Sequence, residues 1–344
     1  MAPNLYGLDR AGLEQQLAPL AVPRYRAAQL ASWMYRRDAT DPAQWSDVPA
    51  ALRGDIASRF RVARPQVAAR AISRDGSRKL VLDLPDGGQV EAVALPTEDR
   101  MTFCVSSQVG CAFGCAFCMT ARLGFGRNLD AGEIVGQVAA LAAETATPAG
   151  RYNVVYMGMG EPLHNLEAVL GSIRLLTSPD AFGLGPRRIT VSTVGLPKGI
   201  LRLAAEPRAP RLAISLVSAD PEVRAALMPI ARRVTLDELV AAVRAYGEGK
   251  RDLPTFEVVL LEGVNDDVRH AGQLAELAQR ARAKVNLIEF NPTPELPFRP
   301  APEERIEHFL RVLSRRGVVG TVRRSLGQDA YAACGQLAFL QQAP

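Results

Sequence analysis

The feature that most limits what this chain can fold into is an alternation beyond residue 100, where short β-rich runs are followed by longer amphipathic segments. The runs cover Met101 to Val105, Tyr152 to Met157, Arg188 to Ser192, Leu212 to Leu216, Thr255 to Leu261, Val285 to Phe290 and Val318 to Val322. Helical patterns such as Gly132 to Glu144, Leu236 to Tyr246, Val268 to Arg282 and Pro302 to Arg315 lie between them. Repeated β then α units build a parallel sheet, because parallel neighbours need a crossover and the crossover is usually a helix. A chain this long can curl such a sheet into a full or partial barrel, with active residues at the C-terminal ends of its strands. Upstream the pattern differs. Residues 8 to 60 show helical spacing in Leu8 to Leu20 and Tyr25 to Tyr35, with a Pro-marked break around Asp41 to Pro49. Val67 to Leu95 alternates about a Pro85-Asp86-Gly87-Gly88 turn and reads as a linking β-hairpin. The expected division is a helical accessory domain with its hairpin over 1–96 and a core over 97–344.

The chain has five cysteines, three of them within eight residues. An odd, clustered set argues against a secreted disulfide framework and for metal or redox chemistry. The N-terminus is charged where a signal peptide needs an apolar stretch, and no run approaches the roughly 20 apolar residues of a membrane span. The expected location is the cytoplasm, with no membrane partner. A net charge of +5 and a pI near 9.1 suit a polyanionic partner, or equally a solvated Arg-rich surface.

The clustered thiols fall in Val109-Gly-Cys111-Ala-Phe-Gly-Cys115-Ala-Phe-Cys118, directly after a strand pattern. Soft thiolates select zinc, copper or iron-sulfur clusters. A cubane cluster offers four irons, so three cysteines leave one iron open to a chelating ligand. The alternative is structural zinc with Cys104 or Cys334 as the fourth ligand, as in a non-enzymatic zinc-stabilised RNA-binding module, although such sites favour paired CxxC-like arms.

With this CxxxCxxC loop the sequence resembles the radical S-adenosylmethionine (SAM) superfamily. Further motifs narrow the resemblance to the bacterial dual-specificity methyltransferases that form 2-methyladenosine in 23S ribosomal RNA and in transfer RNA. It runs from about Tyr6 to Leu340. It implies a partial (βα)6 TIM-like barrel, and one 4Fe-4S cluster held by Cys111, Cys115 and Cys118 with SAM on the open iron. The Met157-Gly158-Met159-Gly160-Glu161-Pro162 turn follows a strand, where glycines allow close backbone approach to a ligand and a carboxylate accepts from an ammonium. By resemblance, Gly160, Glu161, Ser192, Ser215, Leu216, Val217 and Asn291 contact SAM. The chain departs from the family at Val217, where His is usual, and at Ala121, where Gly is usual.

The same resemblance assigns the other two cysteines. Carbon 2 of adenine is electron-poor and does not attack the methyl of SAM in a polar displacement. The implied route starts with Cys334 taking a methyl group from one SAM. A radical generated from a second SAM removes a hydrogen from that methyl, and the methylene radical adds to carbon 2. Glu91 then accepts the carbon 2 proton, and Cys104 attacks the Cys334 sulfur to release the RNA as a transient disulfide forms. A flavodoxin-like electron donor and a thiol reductant are the implied partners, and nothing calls for more than a monomer. The nearest alternative in the superfamily methylates carbon 8 of the ribosomal adenosine by the same two-cysteine scheme. Arg122 and Arg127, Arg187 and Arg188, Arg232 and Arg233, and Arg323 and Arg324 are the cations that could meet RNA phosphates.

Overall fold

The computed structural model describes residues 2–97 and 99–339. Its first part is helical, with α1 (Arg10–Leu17), α2 (Tyr25–Ala31) and α3 (Ala50–Arg59). Asp9 caps α1 by accepting from the Gly12 N–H, which satisfies one of the donors a helix start leaves free. Trp45 is fully buried beneath these helices and donates its indole N–H to the Ala39 carbonyl at 3.0 Å. The N-terminal segment sits directly on the barrel, since a Cβ on Gly7 would lie 2.5 Å from the Gly132 nitrogen. Only glycines permit that backbone contact.

The alternating segment forms three strands where one hairpin was expected: β1 (Gln66–Ile72), β2 (Arg78–Asp83) and β3 (Gln89–Pro96). The β2–β3 turn falls at Pro85 to Gly88 as expected, and the preceding run adds a further antiparallel strand. These strands do not stand apart as a linker. β3 pairs antiparallel with β4 (Met101–Cys104), so the meander extends the barrel sheet.

From β4 onward the alternation folds as its pattern predicts. β7 (Tyr152–Tyr156), β8 (Ile189–Thr193), β9 (Arg211–Ser215), β10 (Thr255–Leu260), β11 (Lys284–Glu289) and β12 (Gly320–Arg323) follow β4 in parallel order. The crossovers are α4 (Ala131–Glu144), α5 (Leu166–Thr177), α6 (Pro197–Ala204), the pair α7 (Pro221–Leu227) and α8 (Leu236–Gly247), α9 (Val268–Ala281) and α10 (Glu303–Arg315). Six βα units and a seventh strand make up the barrel, and among the described residues no ladder joins β12 back to β4. It is a partial barrel. The sequence places the helix starts: Asp130 with Glu133 and Thr235 with Glu238 form reciprocal capping boxes at α4 and α8. In α10, Ile306, Phe309 and Leu313 recur at helical spacing and are buried. Two short strands, β5 (Gln108–Gly110) and β6 (Phe125–Asn128), form a separate ribbon that brackets the cysteine loop at the C-terminal end of β4. No helix among the described residues is long and apolar enough to cross a membrane.

Candidate active site

The loops after β4 and β7 are locked together, and this lock explains the glycines. Ser107 and Gln108 donate their backbone N–H groups to the Met159 carbonyl at 2.8 and 3.2 Å. Gln108 accepts from the Glu161 N–H through Oε1 at 2.9 Å. A Cβ on Gly158 would lie 2.7 Å from Ser106 Oγ, and one on Gly160 would lie 2.5 Å from the Gln108 Cβ. The close approach these glycines permit is therefore to the neighbouring loop. Gly160 also has φ +95°, which a side chain would strain.

The ribbon fixes the cysteine loop at its neck. Cys111 donates to the Gly124 carbonyl at 2.8 Å, and a Cβ on Gly110 would come within 1.9 Å of that oxygen. Arg127 on β6 spans from Asp86 in the β2–β3 turn to Glu133 at the start of α4, with contacts of 2.8 and 2.7 Å. The three thiols then line one cavity of about 1050 Å³, its open mouth included.

The electrostatics of that cavity ask for positive charge. Burial pushes the Cys111 thiol up to about 11, and Cys118 and Glu161 add to the shift. Cys115 and Cys118 move the same way, burial again being the main cause. Three adjacent thiols whose ionisation burial and mutual repulsion oppose are a donor set that a cationic group would relieve. Among the described residues no three such side chains converge on one point. Ligands to three separate irons do not need to converge, so this donor set fits a cluster. Glu161 supplies the neighbouring negative site. It is 2 % exposed, burial raises its carboxyl to about 7, and its oxygens accept from the Leu163 and Val194 N–H groups at 2.9 and 2.8 Å. An ammonium placed there would stabilise the ionised form.

The other expected SAM contacts divide. Gly160, Ser192, Ser215, Val217 and Asn291 line the same cavity. Ser192 and Ser215 stand 3.2 Å apart, oxygen to oxygen, on adjacent strand ends. Leu216 is fully buried and its N–H is taken by the Glu257 carbonyl at 3.0 Å, so the structure does not bring it to the cavity. Val217 has φ +65°, an unfavourable conformation for a β-branched residue and a strain of about 1–3 kcal/mol. Its carbonyl accepts from Asn265 Nδ2 at 2.8 Å. Asn291 is committed to the cysteine loop at the far end of the chain: Nδ2 donates to the Cys334 carbonyl at 3.0 Å, and Oδ1 accepts from Gln328 at 2.8 Å.

Cys334 lines this cavity as well as a smaller chamber behind it, where Cys104 and Arg323 meet it. The two cysteines, 230 positions apart in sequence, thus share one space. Burial pushes the Cys104 thiol up to about 12, Cys334 beside it adds to that, and the Arg323 guanidinium opposes it. Arg323 turns into the barrel and donates to Met157 Sδ at 3.3 Å, so it is not a surface cation facing phosphates. Arg324 pairs with Glu303, Arg187 with Asp252 and Arg127 as above, which leaves Arg122 as the cation beside the cluster loop with its contact to a carbonyl, that of Glu295.

Glu91 reads as an exposed strand residue and is instead completely buried. Its strand is covered on both faces. Val93 pairs with Cys104 across β3 and β4, so Glu91, two residues away, shares the face of the sheet that carries Cys104. Lys79 Nζ lies 2.9 Å from Glu91 Oε1, and Glu91 Oε2 accepts from the Phe339 N–H at 3.1 Å. Lys79 is a site residue that sequence reasoning missed. The signal was alternation, since Lys79, Val93 and Cys104 form one cross-strand row on the inner face.

An open parallel barrel with three thiols on the loop after its first strand, beside a carboxylate-bearing glycine turn, defines the radical SAM class. The Radical SAM superfamily profile matches residues 105–275, and that of the "Ribosomal RNA large subunit methyltransferase N-terminal domain" matches residues 3–62. The chain is 45% identical over 327 residues, 94% of its length and 92% of the relative's, to a "Probable dual-specificity RNA methyltransferase RlmN" of Thermus thermophilus. It is 43% identical to a "Dual-specificity RNA methyltransferase RlmN" of Alkalilimnicola ehrlichii, over 97% and 93% of the two chains. A crystal structure of a radical SAM methyltransferase from Sphaerobacter thermophilus superposes with a TM-score of 0.92 at 44% identity, covering 97% of this chain and 99% of that one. The chain belongs to the dual-specificity RNA methyltransferase family of radical SAM enzymes, whose cofactors are a 4Fe-4S cluster and SAM.

Proposed function

We propose that this chain methylates carbon 2 of adenosine in RNA, at the peptidyl transferase centre of 23S ribosomal RNA and at position 37 of transfer RNA. The observation that carries the reading is the shared chamber of Cys104 and Cys334, which opens beside the three-thiol cavity. When bound on Cys111, Cys115 and Cys118, the cluster and SAM supply a methyl group and one-electron chemistry. The chain's own groups do the rest. Cys334, reached from the front cavity, is the acceptor of the methyl group and the point of attachment to the adenine. Its loop stays in place because Asn291 holds its carbonyl and Met119 donates to the Gly335 carbonyl at 2.8 Å. Glu91 takes the carbon 2 proton, and Lys79 pairs with this wholly buried carboxyl group and orients it. Cys104 breaks the Cys334–RNA linkage by forming a disulfide, a role supported by the chamber that both cysteines line. In this reading the helical region and hairpin over 1–96 form an accessory domain to the core. The enzyme acts in the cytoplasm as a monomer, with an external electron donor and a thiol reductant.

Nucleoside mass spectrometry on unmodified ribosomal and transfer RNA, after anaerobic incubation with reconstituted enzyme, SAM and a low-potential reductant, tests the reading. The expected product is 2-methyladenosine. 8-Methyladenosine would move the chain to the neighbouring activity, and SAM cleavage without methylated adenosine would sink the RNA assignment.

A further inference from the structure

The inner face of the barrel changes character below the cysteine pair. Side chains two residues apart on a strand share a face, so the residues two positions before Cys104, Ser192 and Arg323 lie one layer lower. The side chains lining that level include Thr102, Val155, Thr190, Ala213, Thr255, Asn286 and Thr321. A closed βα barrel packs such layers with Val, Ile and Leu. Here mostly small or polar side chains leave a hollow of about 1290 Å³, its open mouth included, which reaches the N-terminal ends of the strands beside Arg211 and Lys284. The hollow shares Met157, Arg323 and Arg324 with the chamber of Cys104 and Cys334. Among the described residues, Cys104 lines that rear chamber and not the front cavity. Arg211, Lys284, Arg323 and Arg324 line the hollow with Asp252 and Glu257; Arg211 pairs with Asp252 and Arg324 with Glu303, so four cations stand against three carboxylates.

We propose that this hollow is the entrance for a small anionic thiol, which reduces the Cys104–Cys334 disulfide from the side of the barrel opposite the RNA. The proposal rests on the function given above, because that chemistry is what makes the disulfide. The thiolate attacks one sulfur of the pair, forming a mixed disulfide and releasing the other cysteine as a thiolate, which takes a proton. A second thiol attacks the mixed disulfide and frees the remaining cysteine. Two small thiols are oxidised to one disulfide, and the protein pair gains two electrons and two protons. The rear route lets the pair be reset while RNA or SAM still fills the front cavity, and the cationic walls raise the local concentration of a negatively charged thiol.

The test takes the full-length reconstituted enzyme through one turnover without thiol, then follows reduction of the Cys104–Cys334 bond by rapid alkylation and peptide mass spectrometry. The probes are 2-mercaptoethanesulfonate, which is anionic, and cysteamine, which is cationic, each normalised to its rate on an exposed reference disulfide. The anionic thiol should be faster by about tenfold, and Lys284→Glu should erase most of that preference. Thr321→Trp should fill the hollow and slow both thiols at least tenfold, with the first-turnover yield of methylated RNA unchanged. Thr102→Phe serves as the second plug if Thr321→Trp does not fold. Excess product RNA should leave the rate unaffected. Reduction insensitive to both plugs, or blocked by RNA, overturns the rear route while leaving the methyltransferase reading intact. Absence of the disulfide after a productive turnover overturns the two-cysteine reading and this route with it.

Discussion

The two loops that bring cysteines to the front cavity are held in place by different means. The loop of Cys111, Cys115 and Cys118 is closed at its neck by near neighbours, the ribbon of β5 and β6, the Cys111 N–H to the Gly124 carbonyl and the Cys118 N–H to the Cys115 carbonyl at 3.2 Å, with the Ala116 N–H to the Leu227 carbonyl at 2.9 Å anchoring its middle. The loop of Cys334 has its own turns, Ala332 N–H to the Gly327 carbonyl at 2.9 Å and Gln336 N–H to the Ala333 carbonyl at 3.1 Å, and is gripped in addition at many points from far along the chain. Gly327 donates to Asp75 at 2.7 Å, Ser73 bonds Asp329, Lys79 donates to the Tyr331 carbonyl at 3.1 Å and Glu91 holds Phe339. Thr120 reaches the Leu337 carbonyl at 2.6 Å and Asn291 the Cys334 carbonyl. A loop that binds a rigid cluster can take its shape from its own sequence and its ligand. A loop whose cysteine must meet several partners in turn needs its position set by the whole fold.

The strongest way to break this comparison is to remove one thiol from each loop. Cys115→Ala and Cys334→Ala should both lower methylated adenosine below about one thousandth of wild type. Iron analysis separates them, because Cys115→Ala should lose the cluster while Cys334→Ala should keep full iron and still cleave SAM. Next in size is Lys79→Met, which strands Glu91 as a buried unpaired charge and should cost about 3–5 kcal/mol in urea unfolding. Adding Glu91→Leu to it should recover most of the stability but none of the activity. Asn291→Ala frees the Cys334 carbonyl and should lose about 1–1.5 kcal/mol, read as a roughly tenfold fall in kcat with unchanged iron content. The smallest effect concerns the charged tether between the ribbon and the β2–β3 turn. The Arg127 side chain holds the Asp86 carboxyl down at about 2, below its unfolded value, so the pair stabilises the fold above pH about 4 and loses that contribution as pH falls through 2. Asp86→Asn should therefore cost less than about 1 kcal/mol at pH 7, since the pair is partly exposed, and the difference from wild type should vanish below pH 2.

The same contrast decides what the sequence could reveal. The parallel barrel was legible because seven strands and their helices repeat one pattern, and the cluster because its three cysteines lie within eight residues. Nothing within ten residues of Cys334 marks it, and only resemblance to a family singled it out. Glu91 passes in the sequence as an exposed strand residue because a linking hairpin keeps one wet face, and nothing there singles out Lys79. In the folded chain β3 is an inner strand of a ten-stranded sheet, paired on both sides and covered by the C-terminal segment. The glycines of the Met157 to Pro162 turn were legible as a close approach, but the partner, the Val105 to Gln108 loop, lies some fifty residues away.

The most direct test of the two-cysteine account is to run the Cys104→Ala variant anaerobically with SAM and RNA, then map the tryptic and nuclease-digested products by mass spectrometry. The account predicts that RNA accumulates covalently joined to the protein through one carbon on the sulfur of Cys334, with almost no free methylated adenosine. Free 2-methyladenosine at the wild-type rate, with Cys334 unmodified, would contradict it.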